Sequence, residues 1–304
     1  MKSIKDQVIV ITGASSGIGL FTAKKAAKLG AKVVMCARNS LVLEEVVNQI
    51  LSSGGQALAV TADVTKLDDL KNVGELALKA YGRIDTWVNN AGIALHGNIL
   101  ETSIEEEKKI FETNFWGVRN GAHVAIPALH ETSGTLINIG SEISTRALPM
   151  QGIYSASKHA VKAYTDALRM ELENRFSPVS ISLICPANLG SYHPSIVAKA
   201  ILECAENPTR DVFVGGSSKM IQILDVLAPR VVDVILESKI NDDSKIPRVI
   251  SGGDGAVGSL RLKSQSVLPL LSLGLDHLFK VGSYVAKTKV EPMVKEWRAS
   301  RSER

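Results

Sequence analysis

Seven short apolar runs, spaced through the first 216 residues with helix-length stretches between them, constrain this chain more than any other feature. They read QVIVIT (7–12), AKVVMCA (31–37), QALAVTA (56–62), RIDTWVNNAG (83–92), GTLINIGS (134–141), VSISLICPA (179–187) and DVFVGG (211–216). Most are continuously apolar rather than alternating, the pattern of strands covered on both faces in a parallel sheet. Helical patterns fall between them at 17–29, 40–53, 67–81, 104–130, 152–176 and 194–206. This order predicts an α/β fold, a doubly wound parallel sheet of about seven strands.

Beyond residue 216 the pattern changes, which predicts a sheet domain over 1–216 and a helical C-terminal extension over 217–304. Residues 217–238 have helical periodicity that Pro229 breaks or kinks. Residues 240–263 are polar, with SGGDGAVGS reading as a flexible loop, and 266–287 form a second apolar helix candidate. Apolar residues followed by a basic tail fit either packing on the core or a partner subunit, or a peripheral membrane contact through 266–287. No run approaches the length of a membrane span, and the N-terminal apolar run is too short for a signal peptide.

Composition narrows the function classes. A net charge of +4 and an aromatic content of 5% give neither the basic surface nor the stacking platform of a nucleic-acid binder. Cys36, Cys185 and Cys204 are odd in number and match no zinc or disulfide spacing, which fits the cytoplasm or another reducing compartment. His123 and His159 lie in predicted helices with no cysteine or carboxylate cluster beside them, so no metal site is expected.

Gly13, Gly17 and Gly19 follow the first strand and open the first helix. Glycine allows a tight turn and close approach to a pyrophosphate, and the helix N-terminus offers free N–H groups and the positive end of its dipole. Glycines alone would also serve an ordinary strand-to-helix turn. Their place in the first βα unit points to a dinucleotide. The second strand ends in Ala37 and Arg38, where an acidic residue would bind a ribose hydroxyl. A guanidinium suits a 2′-phosphate, so NADP(H) is expected over NAD(H), the alternative being a solvated surface arginine.

Tyr154 and Lys158 stand one helical turn apart. A cation beside a phenol favours the phenolate, and a tyrosine so tuned can exchange a proton near neutral pH. Ser141, 13 residues upstream at the end of the fifth strand, could hold a substrate oxygen beside it. Taken singly, the tyrosine and lysine could be an exposed pair and the serine a loop cap.

Together, TGASSGIG (12–19), DV (63–64), NNAG (89–92), Asn114, Ser141 and YSASK (154–158) resemble the short-chain dehydrogenase/reductase family in order and spacing. The resemblance covers roughly residues 5–216 and implies a Rossmann-like catalytic domain. It implies Tyr154 as general acid/base, Lys158 as binder of the nicotinamide ribose and tuner of the phenol, and Ser141 as orienter of the carbonyl. It implies Asn114 as holder of a water relay. The loop residues Gly13, Ser15, Ser16, Gly17, Ile18 and Gly19 would cradle the cofactor. Asp63 and Val64 would border the adenine, and Asn90, Ala91 and Gly92 would lie along the dinucleotide. A homodimer or homotetramer, pairing the helices at 104–130 and 152–176, is also implied.

The chain departs from the family after its sixth strand. Pro186 is in place, Ala187 replaces a glycine, and Ser191 stands where a threonine would bind the carboxamide. A helix then begins almost at once, so the segment that covers the substrate in relatives is nearly absent. The pocket could be open, the C-terminal extension could fold over it, or the chain could lack a stretch. The expected function is an NADP(H)-dependent oxidoreductase moving hydride between nicotinamide and a secondary alcohol or carbonyl, on a hydrophobic small molecule. The alternative is a cofactor-binding regulatory or scaffold protein with little turnover.

Overall fold

The computed structural model describes residues 2–187, 193–215, Arg230, Asp233 and 249–251. The expected Ser191 and the two helices at 217–238 and 266–287 lie outside the described residues, apart from Arg230 and Asp233.

The apolar runs form a parallel sheet in the order β3 (Gln56–Thr61), β2 (Lys32–Ala37), β1 (Val8–Thr12), β4 (Thr86–Asn89), β6 (Thr135–Ile139), β7 (Ser180–Pro186) and β8 (Asp211–Val214). All of its pairings are parallel. Every residue of β1, β4 and β6 is buried, Thr86, Asn89, Thr135 and Asn138 included, as in strands covered on both faces. The strand order reverses between β1 and β4. Chains leaving those two strands diverge there and open a crevice at the carboxyl edge of the sheet.

Helices α1 (Gly17–Lys28), α2 (Ser40–Ser52) and α7 (Pro194–Glu206) cover one face. Helices α3 (Leu67–Tyr81), α5 (Gly117–Thr132) and α6 (Gly152–Asn174) cover the other. Each fully buried Leu or Ile contributes roughly 1.5–3 kcal/mol. Local chemistry sets the helix starts. The Asn39 side chain accepts from Val42 N to cap α2, and Ser103 and Glu106 form a reciprocal capping box at the start of α4 (Ile104–Phe111).

Two expectations need correction. The stretch 104–130 is not one α-helix: between α4 and α5 it passes through a π turn, Glu112–Trp116, where Gly117 N–H reaches Glu112 O. The cause is tertiary, because Asn114 in that turn is held by the main chain at Ile93. The second concerns the segment read as a polar loop at 240–263. Its Val249–Ser251 forms strand β9, antiparallel to β5 (Ala94–His96). Strand β5 lies just past the run read as 83–92, which narrows to Thr86–Asn89, so Asn90, Ala91 and Gly92 leave the sheet edge.

Candidate active site

The crevice is built first by the glycine loop. Gly13 has φ +65° and Gly17 φ +51°, the left-handed region that glycine enters at little cost. A Cβ on Gly13 would lie 2.8 Å from Ala91 Cα, and one on Gly19 would lie 2.3 Å from Gly13 O. The loop therefore presses against the residues that follow β4. Asn90 Nδ2 fastens the contact by donating to Thr12 O at 2.9 Å and Gly13 O at 3.1 Å. Thr12 Oγ1 accepts from the amides of Asn90 and Ala91, each at 3.0 Å.

Ser16 stands at the N-cap of α1, yet its side chain caps no amide of that helix. Ser15 is buried, and Ile18 packs on the core. Ala14 N donates to Cys36 O at 3.1 Å, so the glycine loop adjoins the end of β2 and Arg38 just beyond it. Arg38 is exposed. Asp63 Oδ1 closes a local turn by accepting from Thr65 N at 3.0 Å and Thr65 Oγ1 at 2.9 Å. Val64 is buried against Gly117, where an added Cβ would meet Val64 Cγ2 at 2.8 Å.

The second group lies across the crevice. Asn114 Oδ1 accepts from Ile93 N at 2.8 Å, while Asn114 Nδ2 donates to Ile93 O at 2.9 Å and Ser157 Oγ at 3.0 Å. Lys158 is buried, and its Nζ donates to Ile139 O at 2.8 Å. A Cβ on Gly92 would stand 3.2 Å from Asn114 Oδ1 and 3.7 Å from Lys158 Nζ, which brings these three residues together. The Ser141 side chain stands beside the Tyr154 phenol, close enough to pull its pKa down. Ser141 also caps the short helix Glu142–Ser144, accepting from Ile143 N at 3.4 Å. Pro186 is buried at the end of β7, opposite Val214.

The electrostatics differ from the simplest reading of the pair. Burial pushes the Tyr154 phenol up to about 12, the Ser141 hydroxyl pulling against it and the Glu142 carboxylate adding to it. Lys158 Nζ lies 6.0 Å from the Tyr154 ring centroid, and burial lowers its own pKa to about 8. At neutral pH the phenol is protonated, and desolvation weakens the lysine's hold on its charge. Protein groups alone do not produce the lowered tyrosine pKa expected from the spacing, because burial, with the Glu142 carboxylate, holds the phenol above its ordinary value.

Several positioning residues were not singled out in the sequence. Asn89, adjacent to Asn90, is buried with Asn138: Asn89 Nδ2 donates to Asn138 Oδ1 at 2.9 Å, and Asn138 Nδ2 donates to Thr165 Oγ1 at 2.9 Å. This network joins β4, β6 and α6. Ser157 and Thr12 hold Asn114 and Asn90. Thr12, Asn89 and Ser157 lie inside the motifs TGASSGIG, NNAG and YSASK, and that placement is their signal in the sequence. Among the described residues no group of three or more His, Cys, Asp or Glu could hold a metal ion, and no helix is long and apolar enough to cross a membrane.

A family model described as short chain dehydrogenase matches residues 7–193. The chain belongs to the short-chain dehydrogenase family. This short-chain dehydrogenase is 41% identical over 262 residues to an uncharacterized oxidoreductase, YxnA, of Bacillus subtilis (strain 168), an alignment spanning 78% of this chain and 73% of the relative. A short-chain dehydrogenase/reductase from Burkholderia phymatum, solved in complex with NAD, superposes with a TM-score of 0.68 at 25% identity, covering 80% of this chain and 97% of the other. A metagenomic short-chain oxidoreductase solved in complex with NADP superposes with a TM-score of 0.63 at 29% identity, covering 70% and 97%.

Proposed function

We propose that the protein is an NADP(H)-dependent oxidoreductase that moves a hydride between nicotinamide and a secondary alcohol or carbonyl. The observation that carries this reading is the convergence of Ser141 on the Tyr154 phenol, with Lys158 and Asn114 gathered behind it at Gly92. The residues fit a dinucleotide: a positive-φ glycine loop, a helix N-terminus and a Ser16 side chain that caps no amide there. Bound there, the nicotinamide would supply or accept the hydride and, when oxidised, bring a positive charge that favours the phenolate.

The chain's own residues would do the rest. Ser141 would hold the substrate oxygen. Tyr154, protonated at neutral pH, would give its proton to that oxygen during reduction and take it back during oxidation. Lys158 would bind the ribose and keep charge near the phenol. Asn114, held on three sides by protein groups, would fix the geometry through which the lysine is reprotonated. Gly13, Ser15, Ser16, Gly17, Ile18 and Gly19 would hold the phosphates, and Asp63, Val64, Asn90, Ala91, Gly92, Pro186 and Ser191 would line the rest of the cofactor.

The solved relatives carry NAD in one case and NADP in the other, so likeness does not choose between them. Arg38 favours NADP(H), because a guanidinium pairs with a 2′-phosphate. A hydrophobic substrate is supported by exposed Ile99 and Leu100, the first of which lies against Gly152 at the start of the helix that carries Tyr154. Exposed Trp116 and Met170 support pairing of copies through the π turn and α6, as a homodimer or homotetramer.

Titration with NADPH and NADH, followed by nicotinamide fluorescence in wild type and Arg38→Asp, tests the cofactor assignment. NADPH binds the wild type at least about tenfold tighter, a difference of about 1.4 kcal/mol, and the variant reverses the order. Equal affinities in both proteins overturn the role of Arg38, and binding of neither cofactor overturns the whole reading.

A further inference from the structure

We infer that His96 determines specificity: its Nε2 hydrogen-bonds a second oxygen of the carbonyl substrate, remote from the reacting carbonyl. This rests on the carbonyl-reducing reading of the site and deepens it by naming the substrate class, an apolar carbonyl compound with a distant hydroxyl or keto oxygen.

The direction of the side chain follows from strand alternation. Ile93 and Leu95 belong to one buried apolar cluster with Ile110, against which Ile153 packs. In an extended segment the intervening residues face the other way. Gly92 precedes β5 by two residues, and its Cβ direction points at Asn114 Oδ1 and Lys158 Nζ. Within β5, Ala94 and His96 face the side opposite Leu95, away from that apolar cluster. His96 is four residues from Gly92, so it lies within about 14 Å of that glycine. Beside it, Gly97 N donates to Met150 O at 2.7 Å, in the loop that leads to Tyr154.

His96 is 7% exposed, and its Nε2 has no hydrogen-bond partner. Native interiors leave few such atoms, and a buried imidazole nitrogen lacking a partner calls for an explanation. Pairing of His96 with Val249 of β9 encloses the strand that carries it. A ligand oxygen on a substrate whose carbonyl is held at the lysine end would satisfy Nε2, and a hydroxyl would do so with either imidazole tautomer, since it both donates and accepts. The small Ala94, on the same face of β5, adds no polar group beside His96.

The test is steady-state reduction by the full chain with NADPH of benzylacetone and its para-hydroxy derivative, which differ only in a hydroxyl remote from the ketone. The wild type has a KM about fivefold lower for the hydroxylated ketone, with kcat alike. His96→Leu removes that difference by raising KM for the hydroxylated ketone alone, and His96→Gln keeps part of it. Thermal unfolding reads the same assignment without turnover: with no Nε2 bond to lose, His96→Leu unfolds at the wild-type temperature or above. Equal KM values in the wild type, an unmoved preference in His96→Leu, or a lowered unfolding temperature overturn the assignment while leaving the oxidoreductase reading standing. Absence of wild-type turnover on both ketones counts against that reading and the assignment together.

Discussion

Asn114 Nδ2 donates to Ser157 Oγ at 3.0 Å, which ties the π turn to the helix that carries Tyr154 and Lys158. Ser157 Oγ in turn donates to Tyr154 O at 2.7 Å. One buried hydroxyl thus sets the distance between the residue proposed for the proton relay and the proposed acid/base. Ser157→Ala is expected to cost about 1 kcal/mol of stability. It should lower kcat while leaving the NADPH dissociation constant unchanged, because the glycine loop is untouched. Stopped-flow kinetics beside a cofactor titration check this split.

The Asn89–Asn138–Thr165 network holds the floor beneath the crevice. It demands a glycine at 121, where an added Cβ would stand 2.0 Å from Asn89 Oδ1. Asn89 cannot swing aside without breaking its bonds to Trp87, Val118 and Asn138. Gly121→Ala is therefore expected to destabilise the protein by on the order of 3 kcal/mol. Urea unfolding measures it, and a change under about 0.5 kcal/mol would contradict the packing argument.

Gly13→Ala acts on binding rather than on the core. It forces a side chain into positive φ and against Ala91 Cα. Moving the loop to relieve both should weaken NADPH at least about tenfold. Isothermal titration gives the number, and unchanged affinity would show that the loop does not hold the phosphates.

Lys158 gives the pH dependence. Its pKa is lowered from 10.5 to about 8 in the folded protein by burial. Below about 8 the ammonium is charged in both states, so the folded state bears the full desolvation penalty. Stability recovers as pH rises through the folded value towards 10.5, where the unfolded state also loses its proton. Lys158→Met is accordingly expected to raise the unfolding temperature at pH about 7, with the gain shrinking at higher pH. Differential scanning calorimetry across that range checks the sign. A variant less stable than wild type at neutral pH would contradict it.

The sheet was readable in the sequence because both of its faces are buried. Continuous apolar runs such as VIVIT and TLINI admit little else once helical periods separate them. The motif residues were readable for a related reason: glycines before a helix, and a tyrosine one turn from a lysine, are local patterns. What escaped was set by contacts distant in sequence. The π turn at Asn114 depends on the main chain at Ile93, and strand β9 exists because β5 presents a free edge to it. Asn89 and Ser157 lie inside the NNAG and YSASK motifs, but the partners that give them their roles, Asn138 and Asn114, are distant in sequence. The pairing of Tyr154 with Lys158 was evident from spacing, but the balance between burial and charge that sets their pKa values depends on what packs over them.

Tyr154→Phe tests the central claim most directly, since it removes one oxygen from the site and little else. The measurement is NADPH oxidation by the wild type and the variant on a carbonyl that the wild type reduces, with cofactor affinity determined for both. The account predicts unchanged NADPH affinity and a turnover reduced by at least about a hundredfold, the loss expected of a general acid. Comparable rates in the two proteins would contradict it.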